Sequence, residues 1–213
     1  MSKPLHSSIV EHYEECLARH GDTHLGVDWP NSDDANTRYH VMLELVRDTK
    51  SSASLLDFGC GASHLYPVLL GGERKALSYA GLDASLAFCD LSRSKHPGNK
   101  YYCLDVLSEP DALPVHDYVV MNGVFTEKRN LTHEQMFDYF QRVIKVVYGK
   151  TRKGIAFNVM SKLVDWERDD LFHLGLDDLT SFIVKELGRN FVIRNDYGLY
   201  EYTVYVYKDA NRG

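Results

Sequence analysis

The chain has few of the features that tie a protein to nucleic acid, a membrane or an oxidising compartment. Lysine and arginine number 24 against 30 aspartates and glutamates, a formal net charge of -6 over 213 residues. Proteins that grip nucleic acid through its phosphates are usually basic, so that partner is disfavoured. No apolar run approaches the roughly 20 residues that span a bilayer, and no membrane association is expected. The opening MSKPLHSSIVEHYEE lacks the apolar stretch of a secretory signal, so a cytoplasmic location is expected. The four cysteines are Cys16, Cys60, Cys89 and Cys103. They form no C-x-x-C pair and stand at no zinc-finger spacing from a histidine, which favours small buried hydrophobes over metal ligands. There is no internal repeat and no low-complexity tract.

What is present is an ordinary globular composition, 44% hydrophobic and 25% charged, on a chain long enough for one good core. Ile9, Tyr13, Cys16 and Leu17 share a face at helical spacing, predicting a helix from Ser8 to His20 that Gly21 stops. A polar loop, GDTHLGVDWPNSDD, follows. Asp33 or Asp34 is placed to cap a second helix with Ala35, Tyr39, Met42, Leu43 and Val46 inward. From about residue 53 strands alternate with helices: ASLLDF, SYAGLDA, KYYCLDV, DYVVMN and GIAFNVMS read as strands. Ser85 caps one helix, and the Thr132–Gln135 capping box opens another. The end, FVIRNDYGLYEYTVYVYK, reads as two strands around a turn. These elements predict a Rossmann-like, doubly wound α/β sheet of seven strands, mostly parallel with an antiparallel C-terminal strand. Two helices precede it. Residues 1–50 form a helical lid and 51–213 the core of the same domain.

In doubly wound folds ligands bind at the carboxyl ends of the strands. The first strand leaves through Asp57-Phe58-Gly59-Cys60-Gly61-Ala62-Ser63. Two glycines there let a ligand approach the backbone. The third position of a G-x-G-x-x-G pattern is His64, and no Gly-Lys-Ser/Thr is present, so a diphosphate has no seat. Asp57 would repel phosphates and suit a cation. Asp83 closes the second strand, where an acid can accept from ribose hydroxyls. Asp105 closes the third, in reach of an exocyclic amine, and Asn122-Gly123 closes the fourth. Acids at successive strand ends point to a nucleoside carrying an ammonium and no phosphate, a description that S-adenosylmethionine fits.

On these segments the chain resembles the class I S-adenosylmethionine-dependent methyltransferases. LLDFGCGAS is similar to their first motif, YAGLDAS to the second, YYCLDV to the third and DYVVMNGVF to the fourth. Ser63 departs from a glycine that many members carry. The segment RHGDTHLGVDW and the TVY-x-Y ending look most like a group of small bacterial methyltransferases of poorly defined substrate. The resemblance implies that Gly59, Cys60 and Gly61 lie against the methionine part and that Asp57 holds its ammonium. It implies Asp83, with Ala84, at the ribose, and Asp105 and Val106 at the adenine. Asn122 and Gly123 would approach the sulfonium.

Above the sheet edge, Trp29 would pack on the ligand or anchor its own loop. Arg38 would pair with the cofactor carboxylate or stay solvated. Tyr13, Phe125 and Asn158 are candidates to meet the acceptor, although Tyr13 lies on the apolar stripe, which favours core packing, and Asn158 could equally cap a turn. His133, Glu127 and His173 are bases by type, should the acceptor be a hydroxyl or ammonium. WERDD, with Asp165, Asp169 and Asp170, reads as a solvated face, so no metal is expected. The N/D-P-P-Y/F of amino-methylating DNA enzymes is missing, and a small-molecule acceptor is expected. A cofactor-binding module without turnover, or a nucleic-acid or protein methyltransferase, is the alternative.

Overall fold

The computed structural model describes residues 4, 6–50 and 52–211. The outermost residues of the expected lid and core segments, 1–3, 5, 51 and 212–213, lie outside them. The first helix, α1 (Ser7–His20), ends where the Gly21 amide, at φ 63°, donates to the Leu17 carbonyl. A 3₁₀ turn, Leu25–Val27, leads to α2 (Ser32–Leu43). The α2 cap is not Asp33 or Asp34 but Asn31, whose side chain accepts from both of their amides. The two aspartates instead occupy the first turn, where the helix dipole favours negative charge.

The core then runs β1 (Ser54–Phe58), α3 (Leu65–Gly71), β2 (Ser78–Asp83), α4 (Leu86–Lys95), β3 (Lys100–Cys103) and β4 (His116–Met121). It continues through α5 (His133–Gly149), β5 (Thr151–Ser161), β6 (His173–Leu174), α6 (Leu176–Glu186), β7 (Phe191–Arg194) and β8 (Glu201–Tyr207). Ser85 caps α4 through the Phe88 amide, and both arms of the Thr132–Gln135 box are made. Pro67 falls in the first turn of α3, where no amide donor is needed.

The sheet order is β3-β2-β1-β4-β5-β8-β7. Strands β1 to β5 pair in parallel, and β8 inserts antiparallel between β5 and β7. The sheet has eight strands rather than seven. The addition, β6, pairs with Met160 and Ser161 of β5, beyond Phe157, where the last residue of β4, Met121, pairs. Two residues are too short to carry a hydrophobic period, which is why the sequence pattern hides β6.

Both faces are covered, so the strands are apolar almost throughout. Leu56, Val119, Phe157 and Val204 pack beneath α5 and α6. Leu55, Val120, Ala156 and Tyr205 pack against α2 and α3. The direction of winding reverses between β1 and β4, and their loops open side by side.

Candidate functional site

The exit from β1 is held by the neighbouring strand. The amides of Gly59 and Cys60 both donate to the Leu82 carbonyl, at 2.7 and 2.9 Å. Gly59 has φ 70°, and a Cβ there would stand 2.6 Å from Val124 Cγ2 on the β4 loop. The two loops therefore touch at a point that admits no side chain. Ser63 also takes a left-handed conformation, φ 56°. It keeps the glycine-like turn because its buried hydroxyl joins a chain, Ser63 Oγ to Ser92 Oγ to the Gly61 carbonyl, each link 2.8 Å.

Three carboxylates stand at consecutive strand ends. Asp57 is 3% exposed and accepts from the Tyr79 hydroxyl at 2.8 Å. Burial, opposed by that hydrogen bond and reinforced by nearby Asp83, pushes its carboxyl up to about 7. Asp83 accepts from the Gly61 amide through one oxygen and the Ser85 amide through the other, both at 2.9 Å. Its burial outweighs those bonds and raises its pKa too. Asp105 goes the other way. Burial would raise it, but the Ser108 hydroxyl, the Leu107 amide and the His6 ring all donate to it and hold it below the usual range.

Helix α1 and the loop after it roof these groups. His6 at the N-cap of α1, Ile9 and Tyr13 on the helix, Trp29 in the loop and Tyr39 on α2 all face the same cavity. It encloses about 1040 Å³ of space free of protein atoms, its open mouth included. Glu14 on α1 accepts from the Ser85 hydroxyl at 2.6 Å, and His6 donates to Asp105 at 3.2 Å. Asp57, Asp83 and Asp105 all line the cavity, and among the described residues no lysine or arginine does.

Of the residues singled out from the sequence, Asp57, Gly59, Cys60, Gly61, Asp83, Ala84, Asp105, Val106, Asn122, Gly123, Trp29 and Tyr13 line this cavity. Trp29 has two neighbours of note. It faces the cavity and also closes on Gly123, where a Cβ would meet its ring at 2.7 Å. Tyr13 reaches the Gly123 carbonyl with its hydroxyl at 3.4 Å.

Three expected residues lie elsewhere. Arg38 is neither solvated nor on the cavity wall. Its Nε donates to Glu201 at 2.8 Å, and its guanidinium stacks on Trp29 at 4.2 Å. Asn158 is fully buried beneath the β4 loop, where its amide satisfies Gly123 and Glu201. Phe125 is a core ring, edge-on to Phe140 at 5.0 Å.

The candidate bases are also engaged elsewhere. His133 donates to the His173 carbonyl. His173 donates to the Ser161 carbonyl and accepts from the Arg168 amide. Glu127 pairs with Arg129 at 3.4 Å. None of the three lines the cavity. Asp165, just before WERDD, and Asp169 within it are exposed, while Asp170 pairs with Arg168 at 2.6 Å.

Sequence reasoning missed His6, Tyr39, Tyr79 and Tyr139. Tyr79 sits on the Asp57 face of β2, because Asp57 pairs with Gly81 and side chains alternate. Knowing that β1 and β2 are parallel neighbours would have flagged it. Tyr139 stacks on His6 at 4.8 Å, and its place on α5 carries no local signal.

No family model matches the chain. A curated protein of Mycobacterium tuberculosis named "Putative methyltransferase Rv1506c" is 24% identical over 159 residues, covering 73% of this chain and 93% of its own. The magnesium protoporphyrin IX methyltransferase of Synechocystis PCC 6803, solved with bound SAM, aligns with TM-score 0.67 at 13% identity. That alignment covers 98% of this chain and 99% of the other. The plantazolicin methyltransferase BpumL, solved with SAH and a pentazolic desmethylPZN analog, aligns with TM-score 0.65 at 11% identity over 96% and 94%. The chain shares the fold of these two methyltransferases over nearly its whole length.

Proposed function

We propose that the protein is an S-adenosylmethionine-dependent methyltransferase that acts on a small-molecule acceptor, methylating oxygen or nitrogen. One observation carries the reading: three carboxylates and a tight glycine turn line a single roofed cavity that has no basic side chain beyond two histidines. Such a wall attracts a cation and repels phosphate. The site fits the cofactor in further detail. Asp57 is placed to take an ammonium, which would restore the charge that burial suppresses. Asp83 retains acceptor capacity for ribose hydroxyls. Asp105 can accept from the adenine amine once it shares with, or displaces, His6. The Asn122 side-chain oxygen is buried with no hydrogen-bond partner among the described residues, so it calls for a ligand donor.

The bound cofactor supplies an activated methyl group with its leaving group already in place. The protein's task is then alignment and the exclusion of water. Residues 1–50 act as the lid, with Ile9, Tyr13 and Trp29 replacing solvent over the strand ends. Tyr13, beside Gly123, is the residue we assign to the acceptor side. Neither basic run lines the cavity: KTRKG opens β5 at the opposite sheet edge, and Lys95 of LSRSKHPGNK is held by Asp22 and the Ala62 carbonyl. That placement favours a small acceptor over nucleic acid. The acceptor named for the Synechocystis neighbour, magnesium protoporphyrin IX, is in keeping with this.

Calorimetry with S-adenosylmethionine and its demethylated product tests the cofactor assignment. Affinity for neither would sink it. Incubation with methyl-labelled cofactor and a panel of hydroxylated and amino metabolites tests turnover. Binding without transfer to any acceptor, including protein and nucleic acid, identifies a binding module instead.

A further inference from the structure

Away from the cavity wall, α1 gathers a second polar group. His12 and Cys16 lie four residues apart and so share one face of the helix. Asp28, at φ 57° after the 3₁₀ turn, folds its carboxylate back to the same point. His12 Nε2 stands 2.7 Å from Asp28 Oδ2 and 3.8 Å from Cys16 Sγ. One ligand atom from each lies within 4.8 Å of the others. Cys16 is buried, whereas the side chains of His12 and Asp28 are 18% and 35% exposed, so the group is open to solvent on one side.

We propose that His12, Cys16 and Asp28 bind a divalent cation of the zinc class. The donor set selects the metal. Imidazole nitrogen, thiolate sulfur and carboxylate oxygen together suit zinc, whereas magnesium and calcium prefer oxygen alone. The spacing is close to what zinc needs. With metal–ligand bonds of about 2.0–2.3 Å, tetrahedral donors stand roughly 3.3–3.6 Å apart. The Cys16–His12 separation is already near that. The His12–Asp28 contact must open by about half an ångström, a small rotation for a partly exposed carboxylate. Three protein ligands leave a fourth position for water, as in open rather than closed sites. No sequence spacing announces the site, because Asp28 joins it only through the fold-back of the loop.

The site's position gives it a role. Asp28 immediately precedes Trp29, whose ring closes on Gly123 and whose carbonyl accepts from His24 Nδ1 at 2.6 Å. A cation joining Asp28 to α1 fixes the two parts of the roof to each other and holds Trp29 in place. The metal thus acts on the cover of the cavity and takes no part in methyl transfer.

The test uses the full chain, stripped with a chelator. Zinc is titrated against a chromophoric competitor, and cobalt is followed by its thiolate-to-metal charge-transfer absorption. One equivalent should bind with micromolar affinity or tighter, and zinc should raise the thermal midpoint. Cys16→Ser should remove the cobalt band. Cys16→Ser and His12→Gln, each checked for folding by circular dichroism, should weaken zinc at least 100-fold. Cys103→Ser, which alters the exposed thiol, should change neither. Wild-type affinity no better than that of Cys16→Ser, or a band lost with Cys103→Ser instead, would overturn the proposal and leave a hydrogen-bonded His12–Asp28 pair without a cation.

Discussion

Asn158 accepts the Gly123 amide at 2.8 Å from beneath the loop that forms one wall of the cavity. The same side chain donates to Glu201 at 2.9 Å, and Glu201 takes Arg38 at 2.8 Å. Arg38 stacks on Trp29, and Trp29 packs back onto Gly123. The circuit closes on itself and ties α2, β5, β8 and the loop after α1 to one peptide. Replacing Asn158 with Leu leaves a buried amide and a buried carboxylate oxygen without partners, costing about 1–3 kcal/mol for each group. We expect a lower midpoint in urea together with weaker cofactor binding, since the loop that relaxes is the cavity wall. Unchanged affinity in a destabilised variant would separate the circuit from the site.

Arg38→Met strands the Glu201 carboxylate, which is 1% exposed. Breaking such a pair costs roughly 3–5 kcal/mol, most of it from the charge left behind. Adding Glu201→Gln should therefore recover a large part of the loss. A double-mutant cycle in denaturant measures this, and simple additivity of the two changes would contradict it.

Asp57 makes stability depend on pH in an unusual direction. Its folded pKa of about 7 lies above the reference value of 3.8. Below pH 4 both states hold the proton and Asp57 contributes nothing. Between pH 4 and 7 the unfolded chain releases its proton while the folded chain keeps it, so stability falls as pH rises. The cumulative cost is on the order of 3–4 kcal/mol by pH 7. Asp57→Asn should flatten this slope in denaturant titrations at pH 4.5 to 7.5. A ligand ammonium favours the carboxylate, so cofactor binding should release a proton below pH 7. Calorimetry in buffers of differing ionisation enthalpy detects that proton, and none should be released from Asp57→Asn.

At Ser63 two effects oppose each other. Substitution with glycine relieves left-handed strain worth about 1–2 kcal/mol but removes a buried hydroxyl contact of about 1 kcal/mol. Ser63→Gly should therefore be nearly neutral in stability. Ser63→Val retains the strain, loses the hydrogen bond and should destabilise by 2 kcal/mol or more. Gly59→Val meets Val124 directly and should abolish cofactor binding. Thermal melts with calorimetry on the three variants check the ordering.

Local chemistry explains which features the sequence made legible. The glycine turn, the acids that end β1, β2 and β3, the Ser85 cap and the Thr132–Gln135 box all depend on neighbours within a few residues. The sequence points Arg38 at a ligand or water because its true partner, Glu201, lies 163 positions away. Asn158, inside β5, and Phe125, in the loop after β4, are both turned inward by packing that no local pattern reveals. The α2 cap was misplaced because Asn31, Asp33 and Asp34 are all competent, and only loop geometry chooses among them. Tyr79 shows the opposite case: strand register, once known, picks it out as the partner of Asp57.

Helix α1 is fastened across the cavity by Glu14 on Ser85 and by His6 on Asp105. On the proposed function, both contacts lie over the cofactor's seat, and release of the spent cofactor is expected to be eased when α1 loosens. On that reading, the dwell time of the product is expected to follow the strength of these two polar fastenings. Loosening either one would speed exchange before it altered the reaction itself.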